Sequence, residues 1–370
     1  MPSSTADGTS AATMNPLAED LDHVLAHTEG LWDELRGQKI FITGATGFFG
    51  CWLLESFSWA NEKLKLKAQA VALTRNLENF QKKAPHLAAN PAIRFQIGDV
   101  RDFKFSGEKF AFIIHAATEA SAKLNLENPT VMLETIVEGT RRALDFAVKC
   151  GAKKFLLTSS GAVYGPQPPE LTHTPEDYQT WNIEHQASNT EHRTPKLDSA
   201  YAEGKRLAEL LGTSYAKQHT IEIKIARCFA FVGPYLPLDS HFAIGNFIRD
   251  GLRGGPIQIN GDGTPYRSYL YAADLTIWLW TILFRGKSCR PYNVGSANDF
   301  PVSEIANSVN RAFENKLTIR IAQQPVPGKP PERYVPSTQR AEAELGLRET
   351  TELRTSIVKT SDWECRSAGP

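Results

Sequence analysis

What this chain of 370 residues lacks already narrows its function. It has five cysteines, Cys51, Cys150, Cys228, Cys289 and Cys365, with no Cys-x-x-Cys pair and no spacing suited to a metal. That argues against a disulfide framework or a zinc module and fits a reduced, cytoplasmic protein without a metal site. Basic and acidic residues balance at 41 each, so no overall field draws nucleic acid or an anionic membrane. No apolar run approaches the ~20 residues of a spanning helix. Met1 to Ser10 lack the basic and apolar blocks of a secretory signal, and the first stretch, to about residue 15, reads as a disordered tail.

What is present is a 41% apolar content laid out in alternating patterns. Leu21, Val24, Leu25, Leu31 and Leu35 recur at helical spacing and predict one amphipathic helix over residues 17–35. Short apolar runs predict strands at 39–43, 68–74, 93–97, 110–114, 154–158 and 221–227. Helices are expected between them, one over 129–150 and one from Tyr201 to about Gln218. Strands alternating with helices imply a parallel sheet covered on both faces. A glycine turn after the first strand makes this a Rossmann-type, doubly wound α/β fold, with its ligand at the carboxyl ends of the strands.

Beyond Gly233-Pro234 the pattern loosens into a smaller C-terminal α/β lobe, with a helix over 242–253 and a returning strand at 292–294. The expected division is a tail and helix over 1–36 and a dinucleotide domain over 37–233, to which 268–298 return. A substrate lobe would come from 234–267 and 299–365. The polar, proline-rich stretch from Pro166 to Ser199 reads as a lid or a disordered excursion.

Three motifs carry chemistry. The first is Gly44-x-x-Gly47-x-x-Gly50, after a strand and before a helix. Glycines there let backbone N–H groups approach a pyrophosphate at a helix N-terminus. The second strand ends in Thr74-Arg75-Asn76, without an acid. An arginine at that place favours a 2′-phosphate, hence NADP, although Arg75 can equally stack on adenine or face solvent. Asp99, after the third strand, can accept from the adenine amine or cap a helix. The remaining motifs supply Ser160, and Tyr201 with Lys205 one helical turn apart. A tyrosine is a poor base at neutral pH unless an ammonium and a positively charged nicotinamide stabilise its phenolate. Ser160 can then hold the substrate oxygen.

Gly-Ala-Thr-Gly-Phe-Phe-Gly, Ser-Ser-Gly-Ala-Val-Tyr-Gly and Tyr-Ala-Glu-Gly-Lys, in that order, resemble the extended short-chain dehydrogenase/reductase superfamily. Within it, over about Lys39 to Leu345, the chain is similar to the NAD-dependent nucleotide-sugar epimerase/dehydratase family. The resemblance implies bound NAD, with cofactor contacts from Gly44, Thr46, Gly47, Phe48, Phe49, Gly50, Arg75, Asp99, Val100, Ala116, Ala117, Tyr201 and Lys205. It implies a nucleoside-diphosphate sugar held by Ser160, Asn246, Arg267 and Arg333, and a homodimer built through the Tyr201 helix and the long helix before it. Two departures matter. Gly161 and Ala162 stand where family dehydratases carry an acid/base pair, and Ala230 and Ile136 replace family asparagines. Elimination would need a base from elsewhere, such as Glu119, His173 or His185. The expected reaction is therefore epimerisation, most simply at C4 through a transient ketone. The alternatives are a nucleotide-sugar reductase or dehydrogenase, a dehydratase with relocated acid and base, and a dinucleotide sensor without turnover.

Overall fold

The computed structural model describes residues 15–118, 122–178, 199–239 and 242–367. The expected tail, Glu119, His185 and most of the proline-rich stretch lie outside these residues. Strands follow in chain order as β1 (Lys39–Thr43), β2 (Gln69–Thr74), β3 (Ile93–Ile97), β4 (Phe112–His115), β5 (Lys154–Ser160), β6 (Glu222–Cys228), β7 (Phe231–Val232), β8 (Ile257–Ile259), β9 (Tyr266–Ser268), β10 (Leu270–Tyr271), β11 (Pro291–Val294), β12 (Asp299–Pro301), β13 (Ile319–Ile321) and β14 (Arg333–Tyr334). Seven of them make one sheet, in the order β3-β2-β1-β4-β5-β6-β11, and every pairing in it is parallel.

The central strands of this parallel sheet are buried on both faces. Ile40, Phe41 and Ile42 are wholly inaccessible. Successive side chains of a strand point to opposite faces. Ile40 and Ile42 therefore join Trp52, Leu53, Phe57 and Trp280 on one face. Phe41 joins Phe103, Phe110 and Phe146 on the other. Burying a phenylalanine side chain of this kind contributes about 1.5–3 kcal/mol. Helix Pro129–Cys150 ends on Gly151 in the left-handed conformation, the usual terminator.

The single helix expected over 17–35 is two pieces. Helix Ala18–His27 stops at Thr28, and a short 3-10 turn follows at Trp32–Leu35. The Thr28 hydroxyl donates to Val24 O at 2.6 Å, the carbonyl a continuing helix would give to Thr28 N, and accepts from the Trp32 indole Nε1 at 2.8 Å, which anchors the turn that follows. Both pieces bury their leucines in one core, and this preserves the helical spacing across the break.

A second core, including Ile244, Phe247, Ile248, Ile257, Ile305 and Val309, forms under helix Ala243–Leu252 and helix Val302–Ala312. Beside it β9 pairs antiparallel with β12 and parallel with β14. That small sheet sets Tyr334 opposite Arg267, and Arg333 opposite Tyr266. It brings this late segment of the chain to the carboxyl ends of β5 and β6.

Candidate active site

β1 feeds directly into the glycine turn. Gly44 takes φ +69°, and a Cβ on it would overlap the Ala116 carbonyl. A Cβ on Gly50 would overlap the backbone of Ala45. These two glycines are demanded by packing. Gly47 differs: it precedes helix Phe48–Lys63, and a Cβ there would meet only Gly44 O, at 3.4 Å. The first turn of that helix carries no acid. A turn with an open backbone face at a helix N-terminus fits the pyrophosphate of a dinucleotide. Phe48 and Phe49 turn their rings into the protein; Phe49 meets Phe231 edge-on at 5.1 Å. What they offer a ligand is backbone N–H. Thr46 O accepts from Lys83 Nζ at 3.3 Å, a cation that sequence patterns did not single out.

At the far end of this groove Arg75 is exposed just past β2. Asp99 accepts from Arg101 Nε at 2.7 Å and from Arg101 N at 3.0 Å. The Arg101 guanidinium holds the Asp99 carboxyl below its usual range, and Arg75 adds to this. Val100 is buried beneath it. Ala116 and Ala117 follow β4, where Ala117 N donates to Thr43 Oγ1 at 3.2 Å.

The structure brings Ser160, Tyr201 and Lys205 together. Ser160 ends β5, and its Oγ accepts from Ala162 N at 3.1 Å. Ser199 caps helix Ala200–Gln218 by accepting from Ala202 N. Tyr201 N donates to Asn125 Oδ1 at 3.0 Å. Lys205 Nζ is buried, donates to Thr118 Oγ1 at 2.9 Å and Thr158 O at 2.7 Å, and lies 5.8 Å from the Tyr201 ring centre. Burial lowers Lys205 to about 8. Burial raises the Tyr201 phenol to about 12, and the Ser160 hydroxyl pulls it the other way. The protein's own groups therefore leave Tyr201 protonated at neutral pH; a further positive charge must favour the phenolate.

Two features were not legible beforehand. The first is a part-buried polar network behind the trio. Glu209 accepts from Ser159 Oγ at 2.5 Å and from Arg227 Nη2 at 2.7 Å. Arg227 also donates to Tyr164 Oη, and Tyr164 Oη donates to Asn293 Oδ1. The second lies at Gly161. A Cβ there would come within 2.7 Å of both Phe229 Cζ and Tyr334 Oη. The space beside Ser160 is filled by a phenol and a phenyl ring from other parts of the chain.

A cleft of about 880 Å³ opens in front of these groups. Ser160, Ala162, Tyr201, Asn246, Arg249, Arg267, Arg333 and Tyr334 line it. Arg267 Nη1 donates to Tyr266 O at 2.8 Å. Arg333 is paired with Asp299 at 2.5 Å and lies 3.9 Å over the Tyr266 ring, so its charge is partly used within the protein. Asn246 Oδ1 accepts from Arg249 Nη1 at 2.9 Å. His173 is bonded to Ala297 O at 2.9 Å and is not among the described residues that line the cleft. Among the described residues no group of three His, Cys, Asp or Glu could hold a metal, and no helix is long and apolar enough to cross a membrane.

Comparison with known proteins accords with this geometry. The model of the NAD dependent epimerase/dehydratase family matches residues 40–295. UDP-glucuronic acid decarboxylase 6 of Arabidopsis thaliana is 30% identical over 90% of each chain. The UDP-glucose 4-epimerase of Thermotoga maritima, solved with UDP-glucose, superposes with a TM-score of 0.72 at 18% identity, covering 89% of this chain and 99% of its own. A dTDP-glucose 4,6-dehydratase from Streptomyces venezuelae, solved with NAD, gives 0.71 at 23% identity, over 90% and 98%. At these identities the two structures show a shared fold. With the matched span and the decarboxylase likeness, this chain belongs to the NAD-dependent epimerase/dehydratase family, enzymes that modify nucleotide sugars.

Proposed function

We propose that the chain carries out a reversible oxidation at a hydroxyl carbon of a nucleoside-diphosphate sugar, read most simply as epimerisation at C4. The observation that carries this reading is the packing at Gly161, where Phe229 and Tyr334 leave no room for a carboxylate beside Ser160. Ala162 adds only a methyl group. Alcohol oxidation needs neither. Tyr201 takes the hydroxyl proton, Ser160 donates to the same oxygen as it becomes a carbonyl, and the Lys205 ammonium favours the phenolate. A bound dinucleotide, seated by Gly44 to Gly50, supplies the acceptor and then the donor of the hydride. Between the two transfers the 4-keto sugar rotates in the cleft and presents its other face, so that when Tyr201 returns its proton to that oxygen the configuration at C4 has inverted. Arg267 and Asn246 hold the diphosphate, and a guanidinium fork suits that geometry.

The decarboxylase relatives support a second reading. In a 4-keto hexuronate the ketone is β to the carboxylate, so CO2 can leave without a neighbouring base. The electron pair left by CO2 passes to the C4 oxygen as an enolate, which takes a proton from solvent at C5, and the trio then serves reduction at C4; Arg249 and Arg333, each paired with an aspartate, line the cleft. A panel of UDP-glucose, UDP-galactose and UDP-glucuronate separates the two. Epimerisation interconverts the first pair with no net use of nicotinamide; decarboxylation releases CO2 from the third. Stoichiometric oxidation of added NADPH would instead make the chain a reductase, the reading Arg75 favours. Turnover that survives Tyr201→Phe would end all three.

The exposed apolar residues Leu207 and Leu210 on the Tyr201 helix, with Val131 and Leu133 on helix Pro129–Cys150, support pairing of two copies through these helices. Sedimentation of Leu210→Lys against the wild type tests it.

A further inference from the structure

Lys205 is buried, and its ammonium has three N–H groups to place. The protein places two of them, on Thr158 O at 2.7 Å and on Thr118 Oγ1 at 2.9 Å. Thr118 stands just past β4 and belongs to no motif. Its hydroxyl proton is committed to Ala117 O at 2.8 Å, so toward Lys205 it can only accept. Both partners of the ammonium are therefore neutral acceptors. A neutral amine would bring a lone pair, and neither partner has a proton to give it. The turn that presents Thr118 is fixed from behind. Thr118 N donates to Ala116 O at 3.1 Å, and Ala117 N to Thr43 Oγ1 at 3.2 Å. Thr43 Oγ1 lies 2.8 Å from His115 Nδ1, and His115 Nε2 lies 3.2 Å from Thr140 Oγ1. The Thr158 hydroxyl donates to His115 O at 3.0 Å. This circuit runs from the residue before Gly44, across the ends of β1, β4 and β5, to the Lys205 ammonium.

From this we infer that Thr118 is a positioning residue for Lys205: its hydroxyl fixes the direction of the ammonium and holds it in the charged form, leaving one N–H for the site. What that charge does for Tyr201 rests on the alcohol-oxidation reading above. Among the described residues, the titratable groups around Lys205 are Tyr201 and Glu209 on its own helix, Cys228 on β6 and His115 on β4. Burial keeps the Cys228 thiol protonated by raising it to about 12, and it keeps His115 neutral. Glu209 is paired with Arg227. A buried charge is costly unless it is hydrogen-bonded, and here the two oxygens supply those bonds.

The test is a pH titration of the Lys205 side-chain NMR signal in the NAD-loaded protein, assigned by its loss in Lys205→Met. Thr118→Val keeps the shape of the side chain and removes the acceptor. It is expected to lower the Lys205 midpoint by about one pH unit. Thr118→Ser restores the acceptor and should restore the midpoint. Should the valine variant melt early, Thr118→Ala reads the same shift with a smaller side chain. A role confined to the fold would lower the melting temperature and leave the midpoint unmoved; that result overturns the proposal, as does an equal shift in Thr118→Ser. Turnover is read separately. Where it occurs, kcat needs the ammonium, so its alkaline limb should fall with the midpoint. A shifted midpoint without turnover of any sugar nucleotide keeps the role of Thr118 and sinks the alcohol-oxidation reading; turnover with an unmoved midpoint does the reverse.

Discussion

Gly47 and Gly50 stand three residues apart in one motif, and the structure gives them opposite tasks. Gly47 precedes its helix at φ −80°, ψ −173°, a conformation open to any residue. An added Cβ meets one atom at 3.4 Å, an ordinary contact. Placing alanine at a helix N-cap costs a few tenths to about 1 kcal/mol. Restricting the unfolded chain offsets this by about 0.4–1 kcal/mol. Gly47→Ala should therefore melt within about 0.5 kcal/mol of the wild type once stripped of cofactor. If the pyrophosphate rests on this turn, the same methyl intrudes on it. Overpacking of that kind costs about 1–3 kcal/mol, which weakens NAD binding roughly fivefold to 150-fold. Gly50→Ala drives its Cβ into the Ala45 backbone, so it should lower both stability and affinity. Calorimetric melting and titration with NAD read the two effects apart. Wild-type affinity in Gly47→Ala would show that the glycine turn does not seat the dinucleotide.

Further outcomes follow from buried polar groups. His115 is held neutral by burial, its pKa lowered from 6.5 to about 3. The unfolded chain then binds more protons between those values, so stability rises with pH across that window and is lost on acidification. From pH 7 to pH 5 the loss is about 2 kcal/mol. Urea unfolding at both pH values should show it, and His115→Asn should flatten it; an unchanged slope refutes the assignment. Glu209→Gln strands Arg227 beside Ser159. Leaving one partner of this part-buried pair unsatisfied costs about 1–3 kcal/mol, and a loss under about 1 kcal/mol by equilibrium unfolding would show that the network is slack.

Much of this molecule is local, and the local part was legible. The central strands β1 and β4 read as short apolar runs because both their faces are covered. The Tyr201–Lys205 pair is visible because four residues make one helical turn. The glycine turn announces itself between a strand and a helix. The broken helix near Thr28 was misread for a physical reason: both pieces face one core, so the spacing survives the break. Tyr334 was invisible for a different one. Its place depends on two residues of β14 pairing with β9, and no periodicity in so short a strand names its partner.

That distance matters most at residue 161. Along the chain, Gly161 reads only as a missing acid. In space it is one half of a contact whose other half is Tyr334, with Phe229 beside it. The small residue is required by the large ones, so restoring the acid is not a single substitution. In Gly161→Asp the Cβ alone would fall 2.7 Å from two side-chain atoms, a strain of about 1–3 kcal/mol before any carboxylate is placed. The expected result is a lower melting temperature and no loss of water from a nucleotide hexose, by mass spectrometry of the product. Relief should come only when Tyr334 and Phe229 are both reduced in size, because each meets that Cβ at the same distance. If Gly161→Asp alone kept the wild-type melting temperature, or dehydrated its substrate, the packing argument at this site would fail.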